Sequence, residues 1–254
     1  MFQQKLTESL SLYKLFPGEP VEQISVLLGE NRTPMTLYDF LIARVRDVDE
    51  SDAAAVHFDR QRFRDNYFTT ADMFIVGSDG SMLAVPYENK QGRDLVHSLR
   101  STDQLVNWSL PVDADVYETF RESDGVYIFT QDEVAALRNT RYALPERREA
   151  FWKEFAFRGE DNADDLFDET LALVQEARGG SVKDCMGVFP STSEGMRLVW
   201  LGSVDNYSSD ASSDLGLSYY FGRLVGVVSD GVAISAGGVA AAKSDLDNSV
   251  IDAL

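Results

Sequence analysis

Asp72–Tyr87 reads DMFIVGSDGSMLAVPY, two apolar runs joined across Ser78-Asp79-Gly80. An Asp-Gly pair accepts the positive φ of a tight turn, so the stretch predicts a β-hairpin. Pro86 has no N–H to give to a ladder, which places the second strand at a sheet edge or at the point where the chain leaves the sheet. Upstream the pattern is helical. Gln4–Tyr13 sets Leu6, Leu10 and Tyr13 on one face and predicts a helix that ends at Phe16-Pro17-Gly18. Pro20 opens a second helix that Gly29 stops. Thr36 caps a third, carrying Leu37, Phe40, Leu41 and Val45 with Asp39 in its first turn, and a weaker periodicity spans Asp52–Tyr67.

Downstream, the pattern predicts a strand in Gln104–Leu110, a helix in Ala114–Glu122, a strand in Gly125–Thr130 and a helix in Gln131–Asn139. Thr130 and Glu133 have capping-box spacing at the start of that last helix. Pro145 opens a helix that Gly159 closes. Asn162–Gly180 follows, with Leu166, Thr170, Leu173, Val174 and Ala177 on one face. From Val182 onward short apolar runs alternate with turns, which predicts antiparallel strands through Val182–Pro190, Met196–Val204, Leu217–Val228 and Val232–Ala242. The expectation is an α+β fold: a helix-rich N-terminal half with a β-hairpin, a helical middle, and an antiparallel sheet in the C-terminal part. Two regions, 1–144 and 145–254, describe this organisation, with one compact domain as the alternative.

At 254 residues, 44% hydrophobic and 11% aromatic, the chain can bury a substantial core. Lys5, Glu8 and several serines interrupt the first apolar residues, so no secretory leader is expected. The longest uncharged run of small and apolar residues, Gly231–Ala242, is too short to cross a bilayer as a helix. A soluble protein without membrane insertion is expected, in the cytoplasm or in a particle assembled there. The single cysteine, Cys185, excludes an internal disulfide and a cysteine zinc site, and reads as a small buried side chain. The chain holds 26 Asp and 16 Glu against 17 Arg and 6 Lys, a net charge of −19. Phosphate backbones repel such a surface, so direct nucleic-acid binding is not expected, while basic partners or cations are favoured. Preference for Asp and Arg fits a salt-adapted surface or a GC-rich genome.

Motifs for chemistry are absent. No phosphate-binding loop, dinucleotide fingerprint or nucleophile elbow occurs, and His57 and His97 stand in contexts that suit packing. No catalytic residue and no cofactor is assigned. Asp161, Asp164, Asp165, Asp168 and Glu169 fall on the first turns of a predicted helix, where carboxylates balance the macrodipole, and they lack the EF-hand pattern. Asp205, Asn206, Asp210 and Asp214 offer oxygens for a loose Ca²⁺ but no rigid scaffold, so no metal site is assigned.

What remains is a set of contact elements. Val204–Gly216, VDNYSSDASSDLG, interrupts two β-prone aromatic runs and predicts a projecting loop or arm at 204–216, with Tyr207, Asp210 and Asp214 as contact residues. Trp152 and Phe155 lie in a helix with aromatics on more than one face, which suits a core helix or a face buried against a neighbouring subunit. Ile251 and Leu254 end an apolar tail that could dock. The functional expectation is therefore a non-enzymatic structural or adaptor subunit with a protein partner or a second copy, as in a viral particle or a secretion-type machine. The alternatives are a carboxylate- or metal-dependent hydrolase with an acidic cleft, and an acidic mimic of nucleic acid that inhibits its binding proteins.

Overall fold

A computed structural model describes residues 13–45, 60–178, 184–205 and 209–228. The fold is α+β. The hairpin forms as its sequence predicts: β3 (Phe68–Val76) pairs with β4 (Met82–Val85) in register Met73↔Val85 to Val76↔Met82. Gly80 takes φ +80° in the turn, and Asp79 Oδ1 accepts from Ser81 N and Oγ at 2.9 and 2.6 Å. All nine residues of β3 are buried, which requires cover on both faces. Phe74 and Val76, with Met82 and Ala84 beside them, join one core with Phe40, Phe151, Trp152 and Leu166. Met73 and Ile75, with Leu83 and Val85, join a second core with Ile24, Val96, Tyr117 and Phe120. The alternation of strand side chains thus feeds two separate cores.

The six-stranded sheet has the order β5-β4-β3-β7-β8-β6, with β5 Tyr127–Phe129, β6 Val188–Phe189, β7 Gly195–Leu201 and β8 Ala211–Ser212. Its pairs are antiparallel except β6–β8, which is parallel. The three-stranded sheet has the order β1-β9-β2, with β1 Tyr13–Pro17, β2 Arg32–Pro34 and β9 Arg223–Val228. Both sheets join strands from either side of residue 144. The helices are α1 (Pro20–Gly29), α2 (Leu37–Val45), α3 (Arg60–Asp65), α4 (Lys90–His97), α5 (Ala114–Arg121), α6 (Gln131–Asn139), α7 (Pro145–Ala150) and α8 (Ala163–Arg178). Phe151–Ala156 continues α7 as a π-helical turn. Among the described residues no helix is long and apolar enough to cross a membrane.

Several local expectations are corrected. Tyr13–Pro17 is a strand, because β9 offers a pairing partner that outweighs local helical spacing; residues 1–12 lie outside the described residues. Of the weak helix over 52–67, only Arg60–Asp65 is described as helical. β4 is flanked by β5, so it is not an edge strand, and the chain leaves the sheet at Pro86. Gln104–Leu110 is not a strand: Val106 and Ser109 bond each other across a tight turn, and Leu110 bridges Met196. Leu217–Gly222 precedes β9 as turns, and Val232–Ala242 lies outside the described residues.

Between Thr69 and Met73 the β3–β7 register shifts, and Asp72 sits in that bulge. Its side chain is fully buried. Oδ2 accepts from Leu37 N at 2.7 Å at the start of α2, Oδ1 accepts from Tyr87 N at 2.9 Å just past β4, and Arg158 Nη2 donates to both oxygens at 2.9 and 3.1 Å. Beside it Asp39 Oδ2 accepts from Thr36 N and Oγ1, both at 2.8 Å, and Thr36 Oγ1 accepts from Asp39 N at 3.2 Å, so the predicted Thr36 cap is closed from both sides. Burial pushes the Asp39 carboxyl up to about 6, with the Asp72 charge adding to it, and the Thr36 bonds and Arg158 opposing.

Replacing Asp72 by alanine leaves the Leu37 and Tyr87 N–H groups without their acceptor and takes from Arg158 its buried carboxylate partner. The expected loss is about 3–5 kcal/mol of stability, read as a lowered urea midpoint, with Asp72→Asn losing less. Asp39 gives a pH signature. Its folded pKa lies above its unfolded value, so its contribution is complete below about pH 4 and is lost as pH rises through about 6. Wild type should therefore lose roughly 1–2 kcal/mol relative to Asp39→Asn across that window, after allowance for the side chain's partial exposure; parallel urea-midpoint curves for the two proteins from pH 4 to 7 would refute the assignment.

Candidate functional site

Three loops meet at one end of β7: residues 101–110, 190–194 and 213–218. Arg197, on β7 and almost wholly buried, fastens two of them from below. Its Nε donates to Ser109 Oγ at 2.8 Å, Nη1 to the carbonyls of Ser213 and Asp214 at 3.1 and 3.0 Å, and Nη2 to the Asn107 carbonyl at 2.7 Å. Only the planar five-donor guanidinium can make this set of bonds. Burial lowers the Arg197 pKa, and the Asp214 charge opposes that. The third loop is tied on through Ser191, whose N–H donates to Ser213 Oγ at 2.9 Å and whose carbonyl accepts from Arg138 Nε at 3.0 Å.

Between the loops lies a cleft of about 680 Å³, walled by Thr102, Leu105, Asn107, Trp108, Thr192, Ser193, Asp214 and Ser218 over Arg197. Asn107 and Trp108 are consecutive and both left-handed, at φ +50° and +65°. Non-glycine residues held there cost on the order of 1–3 kcal/mol each unless the surroundings over-determine them. Here they do. The Asn107 carbonyl is held by Arg197, the Trp108 carbonyl accepts from Leu217 N at 2.9 Å, and Gly216 packs so tightly against Trp108 that a Cβ there would stand 2.3 Å from the Trp108 Cβ. The outcome is a tryptophan that is 65% exposed. Tyr220 and Phe221 follow on the adjoining turn, 65% and 53% exposed, with ring centroids 4.0 Å apart, and Val106 is exposed beside Trp108 in sequence.

The contact residues expected from sequence are scattered. Asp214 lines the cleft. Asp210 is buried, accepting from Gly187 N at 2.6 Å and Arg141 Nη1 at 3.0 Å. Burial raises its pKa, while these donors and Tyr142 pull the other way. Of the arm expected at 204–216, the described part Ser209–Ser213 is corrected: β8 pairs with β7 and β6, and these residues are buried because Arg44, Gly187, Ser191 and Arg197 satisfy their polar atoms; residues 206–208 lie outside the described residues. Trp152 and Phe155 are core residues rather than contact residues. Trp152 Nε1 donates to the Met186 carbonyl at 2.7 Å, and Phe155 stacks on Phe151. Tyr207, Ile251 and Leu254 lie outside the described residues.

Other candidates have local roles. His97 Nε2 and Tyr87 Oη are 2.7 Å apart, and burial raises the Tyr87 pKa to about 12 and lowers that of His97; His57 lies outside the described residues. Cys185 is buried. Asp164, in the first turn of α8, pairs with Lys153 at 2.7 Å. No group of three or more His, Cys, Asp or Glu among the described residues could hold a metal ion. The residues that sequence reasoning missed are Asn107, Trp108 and Arg197. The signal was the lone Asn-Trp within QLVNWSL, since Asn tolerates the left-handed region that a strand excludes.

No protein-family model matches the chain, and no curated protein matches its sequence. A solved structure, described as the accommodation of massive sequence variation in Nanoarchaeota by the C-type lectin fold, aligns with a TM-score of 0.55 at 13% identity, over 86% of this chain and 98% of that one. The likeness is one of fold. The α+β architecture here is similar to the C-type lectin fold, and the cleft belongs to the loops that this architecture carries.

Gly216→Ala tests the seating of Trp108. The added methyl should displace the loop at a cost of about 1–3 kcal/mol. It should also change the Trp108 emission, isolated as the difference from a Trp108→Phe partner, and its quenching by acrylamide. An unchanged difference spectrum would show that Gly216 does not set the indole.

Proposed function

We propose that this chain works by recognition, as a non-catalytic protein that associates with another protein through the cleft face carrying Trp108, Tyr220 and Phe221. One observation carries the reading: an exposed tryptophan is held in a costly backbone conformation by Arg197, Gly216 and Leu217, although exposure gains the fold nothing. Exposed aromatics beside polar, hydrogen-bonding side chains are the usual composition of a contact centre. Thr192, Ser193, Asn107 and Ser218 supply the polar part. Support of a general kind comes from the nanoarchaeal structure, whose fold is described as accommodating massive sequence variation. A scaffold that keeps its form while its residues change suits recognition by loops. An adaptor or assembly subunit is the role within which such a face would serve.

The test compares wild type with the triple variant Trp108→Ala, Tyr220→Ala, Phe221→Ala, whose substitutions lie on the surface and should leave the urea midpoint nearly unchanged. Wild type should assemble in light scattering, or retain a stoichiometric protein from an extract of the source cells, and the variant should lose that association by at least about tenfold, the effect of roughly 1.4 kcal/mol or more at a contact centre. Equal behaviour of the two proteins would remove this face from the function.

A further inference from the structure

We infer that Asp39, Asp72, Glu88 and Arg158 form a proton-operated joint, in which loss of a proton from Asp39 releases Glu88 from Arg158 and frees the turn at the head of α4. The first observation is a mismatch of charge. Three carboxylates, from the first turn of α2, the bulge of β3 and the turn after β4, bear on the one guanidinium of Arg158, which is largely buried. Ionised together they outnumber it, in a place that water screens poorly.

The second observation is that the three are held unequally. Asp72 is held hardest, by two main-chain N–H groups and by Arg158 on both oxygens. Asp39 takes both Thr36 donors on Oδ2, and its Oδ1 accepts from no group among the described residues, which leaves that oxygen to carry a proton. Glu88 is held least: its side chain is 58% exposed and reaches Arg158 Nη2 through Oε2 at 3.1 Å. Burial holds Asp39 protonated up to about pH 6, with Asp72 adding to the effect against the Thr36 bonds and Arg158. Partial burial also raises the Glu88 pKa; Asp72 and Asp39 add to it and Arg158 opposes.

The other charged groups on the surrounding elements are engaged elsewhere or face solvent. Glu160 accepts from Tyr38 Oη at 2.9 Å, and on α8, packed along α2, Asp164 pairs with Lys153 at 2.7 Å while Asp165 is exposed. At the head of α4, Lys90 and Arg93 are exposed, and Arg93 bears on Tyr87. With Asp39 protonated, Arg158 divides its charge between Asp72 and Glu88. Once Asp39 ionises, three carboxylates compete for that charge, and Glu88, the most exposed and least held, is the one that leaves. Mild acid closes the joint and neutral pH opens it.

The turn that carries Glu88 touches both ends of α4. Asn89 caps the helix, accepting from Gly92 N at 3.0 Å, and Tyr87 Oη meets His97 Nε2 at 2.7 Å at the far end. Beyond His97 the chain enters the 101–110 loop of the cleft, so the joint acts on the helix that delivers that loop.

Two measurements on the full chain test the joint, with the isosteric variants Asp39→Asn and Glu88→Gln, which keep the size and the acceptor oxygens of the side chains they replace. Carboxyl-carbon NMR should show Asp39 titrating near pH 6 in wild type, and at a pH lower by at least about 0.5 in Glu88→Gln, where Arg158 no longer serves a competitor. Carbodiimide labelling of Glu88, read by mass spectrometry relative to the exposed Asp124, should rise at least about threefold between about pH 5 and 7.5 in wild type and stay level in Asp39→Asn, which cannot ionise. A level Glu88 signal in wild type, an equal rise in Asp39→Asn, or an Asp39 titration unmoved by Glu88→Gln would overturn the inference.

Discussion

The Asp72 carboxylate holds together segments that the sheet alone would leave apart. The bulge in β3 turns its side chain inward, and there it meets the first N–H of α2, the N–H of Tyr87 past the end of β4, and Arg158 after the π-helical turn. The two N–H groups would otherwise be buried without an acceptor, Arg158 would lose its buried carboxylate partner, and each group belongs to a different part of the chain. Arg158 is itself left-handed at φ +59°, a conformation it keeps because its guanidinium is claimed by Asp72, by Glu88 at 3.1 Å and by the Phe155 carbonyl at 2.9 Å. A buried ion pair contributes little net stability compared with a well-packed apolar alternative, but losing one partner is costly. Its effect is positional: it fixes where the helical layer over Phe74 and Phe151 sits relative to the hairpin.

A related device organises the loops. Arg44, Arg138, Arg148 and Arg197 all donate to main-chain carbonyls of irregular segments: Arg44 to Asn66, besides Phe63 in α3, Arg138 to Ser191, Arg148 to Ala143, Cys185 and Met186, and Arg197 to Asn107, Ser213 and Asp214. Irregular backbone that passes beneath other chain must find donors for its carbonyls, and a guanidinium offers five in a rigid fan. A lysine offers three from a single point and would satisfy fewer of these carbonyls at once. This gives part of the excess of arginine over lysine a structural cause. It also sharpens the charge asymmetry of the surface, since bases are drawn into the interior while most acids remain outside.

The parts of the fold legible in sequence are those governed by local chemistry. The Asp79-Gly80 turn, the Thr36 and Thr130 caps, the Pro145 helix start and the helix that ends at Arg178 all depend on residues within a few positions of one another. The strand at Tyr13–Pro17 and the burial of Ser209–Ser213 depend on partners far along the chain, β9 in the first case and Arg44, Gly187 and Ser191 in the second. A run of serines and aspartates reads as solvated because the donors that satisfy it are invisible locally. The cleft was missed for the same reason: Arg197 reads as one residue of an apolar strand, and Trp108 as one residue of another, until the two loops beneath which Arg197 lies are brought together. Asp214 was found because exposed acids in a loop are visible one at a time.

The base and the rim of the cleft are built on different principles. At the base, Arg197, Ser109 and Ser213 are buried and mutually bonded, and Gly216 and Leu217 lock the Trp108 backbone, so substitution there disturbs several partners at once. At the rim, Asp103, Val106, Thr192, Glu194 and Tyr220 are exposed, so their side chains can change at small cost to folding. A rigid base under a permissive rim separates backbone placement from surface chemistry: the loops keep their places whichever exposed side chains they carry. Trp108 lies on the boundary between the two regions, with its backbone in the base and its ring in the rim, and for that reason the strain at Asn107 and Trp108 is tolerated where it is.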